Sequence, residues 1–414
     1  MRVFVFDLLP YGEHLDHLKE GDLSIAVVGG GIGGLAAALS LLRAGFDAQV
    51  FEQAAALGEV GAGIQISPNA SRLLHRLGLS EALDRTGVRP VAVHQRRWDD
   101  GRTLQRAPVG RAVEAAFGAP YYHFHRADLL DALASALPPE RVHLGHRLTG
   151  FTDHGDRVEL AFANGARAAA DLLVGADGIH STVRAALFGP ERPRFTGCVA
   201  YRGLVPAERL AHLGLEVVAS NWMGPGGHFV HYFVAGGRLV NFVAINERET
   251  WTRESWTDRG EVADALAAFR GWHPDVRAII GAADETFLWA LFDRAPLERW
   301  SVGRVTLLGD ACHAMLPFMA QGAAQSIEDG AALAACLRQH GATDVAAALA
   351  RYAALRVPRA TRLQEMSRAN KTRFHLPDGP AQRARDALMA TDGDRSIPAI
   401  GWLYAHDASA VEAA

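Results

Sequence analysis

Lysine is nearly missing from this chain: Lys19 and Lys371 are the only two in 414 residues. Schiff-base chemistry on an interior lysine is therefore not expected. Nor is there a basic excess, since 42 Lys+Arg against 46 Asp+Glu leave a formal charge of −4. Without a positive field to gather phosphate backbones, nucleic acid is not an expected partner. Cysteine occurs three times, at Cys198, Cys312 and Cys336, with no metal-ligand spacing. That odd number fits a reduced, cytoplasmic setting better than a disulfide scaffold. His313 beside Cys312 does not make a metal site, because sequence neighbours seldom ligate one ion and no third ligand follows. The N-terminus has one basic residue and a short apolar run broken by Asp7, with no small-residue cleavage site, so it does not read as a signal peptide.

What is present is apolar and long. Hydrophobic residues make up 49% and charged residues 21% of a 44.5 kDa chain, which excludes disorder, collagen and coiled coil and implies two or three packed units. From Leu23 to Leu42, twenty residues pass without a charge. A membrane span is one reading, with Gly30 and Gly34 as a small-residue helix contact. The other is a strand over 25–28, a glycine turn, a helix from about Ile32 to Ala44 and a second strand over 48–51 ending on Glu52. In that order Gly29, Gly31 and Gly34 fall as G-x-G-x-x-G, which marks a dinucleotide site: one glycine turns the chain, one admits a pyrophosphate and one lets helix and strand touch. Glu52 is then placed to accept a hydrogen bond from a ribose hydroxyl. An acid there suits an adenosine lacking a 2′-phosphate.

Two more apolar strands end in glycine and aspartate. The first leads from Asp171 into Asp177-Gly178 and a helical stretch containing Arg184; the second leads from Arg304 into Gly309-Asp310, a proline-containing loop and a helix starting near Gly322. Each alone could be a ligand-free turn. Together, in this order, the three motifs resemble the FAD-dependent aromatic hydroxylases, single-component flavoprotein monooxygenases, and the resemblance covers about Leu23 to Asp407.

That resemblance implies FAD as resident cofactor and NADH or NADPH as reductant. It implies that the loop with Gly29, Gly31, Gly33 and Gly34 holds the FAD pyrophosphate and that Asp177, Gly178 and Arg184 serve both FAD and the nicotinamide. Gly309 and Asp310 would hold the ribityl chain. The amides of Gly322 and Ala323, at a helix N-terminus, would face the flavin edge that becomes anionic on reduction. The stretch from Gly61 to Asn69 is similar to the loop flanking the isoalloxazine, and the segment His125 to Leu130 to the one whose arginine, here Arg126, reaches the cofactor. Gln53, Gly63, Gln65 and Leu148 are carried over in the same way.

The implied fold is α/β: a Rossmann-like FAD-binding domain with a mostly parallel sheet (23–90, 122–190 and 296–342), an inserted antiparallel β-sheet substrate domain (91–121 and 191–295) and a C-terminal helical region (343–414). Residues 1–22 form an appended segment that resembles the first strand of luciferase-like flavin oxidoreductases. Strands are read over 199–205, 227–234 and 238–245.

The reaction depends on a substrate ring beside the flavin and on a base or proton relay in a dry pocket. Along the strand 227–234, alternation puts His228, Val230 and Tyr232 on one face and turns His231 away. His228 and Tyr232 are either satisfied sheet residues or the pair that flanks the substrate. Resemblance to hydroxylases of hydroxynicotinate and 3-hydroxybenzoate implies the second. Pro317 and Phe318 would line the pocket near the flavin. Tyr121 is either a substrate-carboxylate contact or a half-buried core tyrosine. The chain looks most like the 6-hydroxynicotinate 3-monooxygenases over long stretches. It has Gln65 and Phe318 where they carry histidine, which suggests a less polar ring.

The expectation is thus a cytoplasmic enzyme, monomer or homodimer, that takes a small phenolic or N-heteroaromatic acid and O2 and hydroxylates the ring through a flavin C4a-hydroperoxide. Two alternatives stand beside it: a monooxygenase or epoxidase acting on a larger natural-product scaffold, and a nucleotide-binding regulator without turnover. A halogenase is disfavoured, because no Trp-x-Trp-x-Ile-Pro motif surrounds Trp251 or Trp256.

Overall fold

The structure is a computed structural model that describes residues 23–58, 62–251, 259–340, 344–391 and 396–411. The appended segment 1–22, Gly61 of the expected isoalloxazine loop, and Trp256 lie outside the described residues.

Ser24–Val28 is buried along its whole length, as a strand covered on both faces must be. It pairs in parallel with Asp47–Phe51 on one side and Leu172–Gly175 on the other. Val305–Leu307 pairs in parallel next to Leu172–Gly175, in a six-stranded sheet whose far edges are Ser301–Val302 and Val142–His143. The three motif strands are therefore immediate neighbours. Their registers match: Val28 lies opposite Gly175, and Gly175 opposite Leu307. The three loops that follow leave the sheet side by side at its carboxyl edge, where open α/β sheets bind ligands. The uncharged run from Leu23 is strand, turn and the helix Ile32–Arg43, and among the described residues no helix is long and apolar enough to cross a membrane.

The helix Ile32–Arg43 crosses Gly322–His340 so closely that a Cβ on Gly330 would lie 2.6 Å from the Ala37 Cα. Small residues at that crossing fix the two helices that start at the first and third loops.

The second sheet has eight strands, in the order Arg259–Gly260, Thr286–Asp293, Arg194–Pro206, Leu239–Glu247, Gly227–Val234, Ala219–Gly224, Ala92–Arg97 and Thr103–Pro108. It is antiparallel with one exception: Ala219–Gly224 and Ala92–Arg97 run parallel. Those two strands come from separate excursions of the chain, so no hairpin dictates their direction. One face buries Trp222, Phe229 and Phe242 against the residues of Val262–Ala268 and Pro274–Gly281. On the long helix Val345–Phe374, Tyr352 and Ala360 enter the core of the parallel sheet, while Phe374 packs with Phe318 beneath the second sheet.

Candidate active site

The glycines of the first loop divide the work. Gly29 has φ +115°, and a Cβ there would lie 2.3 Å from the Ala176 carbonyl oxygen, so the turn and the second loop touch backbone to backbone. A Cβ on Gly34 would lie 1.9 Å from the Gly29 oxygen, and one on Gly33 2.8 Å from the Ser326 Cβ. Gly31 is different, because a Cβ there would meet nothing within 4 Å. It caps the helix without a side-chain partner, leaving free backbone N–H groups facing open space. The Glu52 carboxylate accepts hydrogen bonds from the Gly30 amide at 2.6 Å and the Ala54 amide at 2.7 Å, which fixes it beside the loop. Gln53 is exposed next to it.

In the second loop Asp177 accepts from Ser181 Oγ and from the amides of Thr182 (2.7 Å) and Val183 (3.1 Å), capping the helix Thr182–Phe188. Burial raises its pKa. Gly178 follows with φ +75°. Arg184 is buried and bonded to protein: it donates to Glu191 Oε2 at 2.6 Å and to the Ala311 carbonyl at 3.4 Å. It ties the second loop to the third.

The third loop hangs from Asp329. Oδ2 of that carboxylate accepts from the Gly309 amide at 3.0 Å and from His313 Nε2 at 2.6 Å, while Oδ1 takes Arg356 Nε at 2.7 Å. Burial alone would raise the Asp329 pKa, but His313 and Arg356 hold it down at about 2. Cys312, His313 and Asp329 lie close enough to hold a metal, yet the Arg356 guanidinium already occupies that carboxylate. With Gly309 held, Asp310 opens onto a cleft lined also by Ile179, His180, Arg202, Trp289 and Pro317. After Pro317–Met319 and a left-handed Ala320, the helix Gly322–His340 begins; nothing lies within 4 Å of a Cβ built on Gly322, and Ala323 is half-buried.

Arg202 was not anticipated. Its guanidinium lies 4.4 Å above the Trp289 ring centroid and donates to the Gly63 carbonyl at 3.1 Å. Gly63 is the pivot of this wall: its amide donates to Asn241 Oδ1 at 2.7 Å, and a Cβ would lie 2.5 Å from Asn241 Cγ and 2.7 Å from Tyr232 Cε2. The signal for Arg202 was visible, a lone arginine in the apolar strand run Cys198 to Val205.

The strand over 227–234 has the alternation expected of it. His231 turns toward Trp222 (ring centroids 6.2 Å apart), with its pKa pushed down to about 3 by burial. His228 and Tyr232 are both buried but have different neighbours. The Tyr232 ring lies 4.5 Å from that of His123; burial raises its phenol pKa, against the pull of Arg202. His228 meets Phe318 edge-on at 4.7 Å, and its Nδ1 lies 2.7 Å from His375 Nε2. Burial keeps His228 neutral. Pro317 and Arg202 line the open cleft, whereas Phe318 and Tyr232 are buried and do not line it.

Other sequence candidates sit deeper. Tyr121 is 4% exposed rather than half-buried, and its hydroxyl donates to Gln65 Oε1 at 2.7 Å. The Leu148 side chain belongs to the main core, and its strand position pairs with Phe162. Arg126 opens the helix Arg126–Ser135, and its amide donates to the Ala62 carbonyl at 2.8 Å. His375, one residue past a 30-residue helix, left no signal in the sequence.

The family described as FAD binding domain matches residues 22–367. The chain belongs to this family. It is 45% identical over 399 residues to the 3-amino-4-hydroxybenzoate 2-monooxygenase of Streptomyces platensis, covering 96% of this chain and 99% of that one. It is 40% identical to the 6-hydroxynicotinate 3-monooxygenase of Pseudomonas fluorescens, covering 84% and 90%. Among solved structures, Klebsiella pneumoniae HpxO complexed with FAD and uric acid matches with TM-score 0.81 and 29% identity, over 91% of this chain and 95% of that one. The aminohydroxybenzoate enzyme is thus more similar than the hydroxynicotinate enzyme that the sequence motifs suggested. The protein is an FAD-dependent aromatic monooxygenase. The three loops fit that cofactor: they meet at one sheet edge, and the positions facing open space, Gly31 and Gly322, are the ones with no side chain in the way.

Proposed function

We propose that the protein hydroxylates 3-amino-4-hydroxybenzoate at the carbon between its amino and carboxylate groups, using NAD(P)H and O2. Arg202 carries this reading. It is a cation fixed by the Trp289 face and the Gly63 carbonyl at the cleft that Asp310 and Pro317 share. A benzoate carboxylate is a bidentate acceptor suited to such a guanidinium. The ring needs little activation, because an arylamine is neutral at neutral pH and feeds electron density to the adjacent carbon. This suits the two buried polar groups of the strand 227–234, an un-ionised tyrosine and a neutral histidine, with Phe318 and a Gln65 already engaged by Tyr121 in place of titratable groups.

In this reading Gly29 to Gly34 would hold the FAD pyrophosphate, Glu52 its ribose, and Asp310 with the Gly322 and Ala323 amides its ribityl and flavin portions. Bound FAD, once reduced by NAD(P)H, would activate O2 and so provide the electrophilic oxygen. Arg202 orients the ring, the Tyr232 hydroxyl donates a hydrogen bond to a ring oxygen, and His228 takes up the proton the ring loses on recovering aromaticity. The cytoplasm, with its reduced thiols and nicotinamide supply, is the proposed setting.

Purified protein given 3-amino-4-hydroxybenzoate, 3-hydroxybenzoate, salicylate and 6-hydroxynicotinate, each with NADH or NADPH, tests the reading. The aminohydroxybenzoate is expected to give coupled NAD(P)H and O2 consumption and a product with one added oxygen. Preference for 6-hydroxynicotinate, or no turnover of any benzoate, sinks it. Arg202→Gln should keep FAD and raise KM for the carboxylate by at least about tenfold, the equivalent of one charge-assisted hydrogen bond.

A further inference from the structure

We infer that His375 and Glu247 position His228 as a base, in a relay that runs from the buried His228 and His375 imidazoles to the exposed Glu247 carboxylate and leaves Nε2 of His228 as the proton acceptor. His228 Nδ1 lies 2.7 Å from His375 Nε2, and His375 Nδ1 lies 3.0 Å from Glu247 Oε1. The donor and acceptor roles follow from the far end. An ionised carboxylate only accepts, so His375 carries its proton on Nδ1 and its Nε2 is an acceptor. His228 must then donate from Nδ1, and its Nε2 keeps a free lone pair. Among the described residues that nitrogen makes no hydrogen bond. The ring faces Phe318, whose neighbour Pro317 lines the cleft.

The scaffold holds His375 for this role. Its amide donates to the Lys371 carbonyl at 3.1 Å, and its carbonyl accepts from the Gly226 amide at 3.1 Å. The Glu247 amide donates to the Gly226 carbonyl at 2.8 Å, so one turn fixes both partners. The other titratable groups facing His375 are Lys371, whose Nζ lies 3.8 Å from Glu247 Oε1, and Cys198. Cys198, Glu247 and His375 could in geometry surround a metal. The Lys371 ammonium already stands beside that carboxylate, and burial pushes the Cys198 thiol up to about 11, so the cluster is organised for hydrogen bonding.

The step rests on the proposed hydroxylation. As the new C–O carbon loses its hydrogen, the C–H electron pair returns to the ring and the proton goes to His228 Nε2. The imidazolium keeps its Nδ1 proton bonded to His375, Glu247 offsets the charge through His375, and water removes the Nε2 proton as product leaves. His375 and Glu247 touch no substrate and act through His228 alone, much as an aspartate orients the base of a catalytic triad.

Nitrogen-15 NMR of the imidazoles tests this without turnover, with the His228 signals identified by their loss in His228→Gln. The expected wild-type tautomer is Nδ1–H, lost in His375→Phe and kept in His375→Gln, whose amide oxygen can accept from His228 while its N–H donates to Glu247. In turnover, His375→Phe should keep its FAD but give at least about tenfold less product per NAD(P)H oxidised, the low end of a general-base contribution. His375→Gln should recover most of that loss. An Nε2–H tautomer of His228 in the wild type, or equal losses in the Phe and Gln variants, overturns the inference. The Nδ1–H tautomer in a protein that does not hydroxylate aminohydroxybenzoate supports the relay and removes the substrate reading instead.

Discussion

Gly31 and Gly34 separate what the fold needs from what a ligand needs. A methyl at Gly34 would drive into the Gly29 carbonyl, an overpacking that costs about 1–3 kcal/mol. A methyl at Gly31 meets no protein atom within 4 Å, and at an N-cap the exchange costs about 1 kcal/mol at most. Gly31→Ala is therefore expected to unfold in urea near the wild-type midpoint while its FAD dissociation constant rises tenfold or more; Gly34→Ala should lose stability first. Unchanged flavin affinity in Gly31→Ala would remove the loop from the cofactor site. These two glycines were legible because spacing alone dictates which touches what. The His228 and Tyr232 pair was half legible: alternation named their common face, but not that one would meet a histidine 147 positions away and the other the wall built on Gly63. Arg202 was missed because a charged residue in an apolar strand shows its function only once the cleft beside it exists.

Neighbouring parallel strands are what bring the motifs together; the apolar run before each motif marked the strand, while the side-by-side order emerges only in the sheet. The C-terminal helices were legible as helices but not as structural partners of the site. Arg356, on Val345–Phe374, is 1% exposed, against every periodicity rule for a surface helix, because it pairs with Asp329 and Glu328 on Gly322–His340. Arg359 also donates to both Glu328 oxygens, at 2.7 and 2.8 Å. The long helix thereby clamps the element that carries the third loop. Asp329→Ala should leave the Arg356 charge buried with half its partners and free the Gly309–His313 turn. We expect a loss of about 3–5 kcal/mol in urea unfolding together with reduced flavin content. Full flavin retention at wild-type stability would show that the turn holds without its carboxylate.

Across the whole molecule, acid should act through histidines before it acts through carboxylates. Burial pushes His123 and His231 down to about 3 and His143 to about 4, from an ordinary value of 6.5. Unfolding restores that ordinary value, so below pH 6.5 the unfolded chain binds protons the folded chain refuses. The stability that His123 and His231 contribute is complete above pH 6.5 and falls as pH drops toward 3, by about 1.4 kcal/mol per pH unit for each ring, while the half-buried His143 adds less because solvent screens it. Glu328 and Asp329, held near 2 by their arginines despite burial, add to the loss only below their ordinary values of 4.5 and 3.8. Since a domain is stable by only about 5–15 kcal/mol, the urea midpoint should fall steeply between pH 6.5 and 4.5. His231 is the ring to test, because it faces the apolar side of its strand and lies outside the proposed relay. Replacing it with phenylalanine should leave the midpoint at pH 7.5 within the range of a core exchange and flatten the slope between pH 6.5 and 4.5 by about one proton per molecule. A variant with the wild-type slope would mean that His231 is protonated as readily in the folded chain as in the unfolded one, and that its burial beside Trp222 does not set the acid limit.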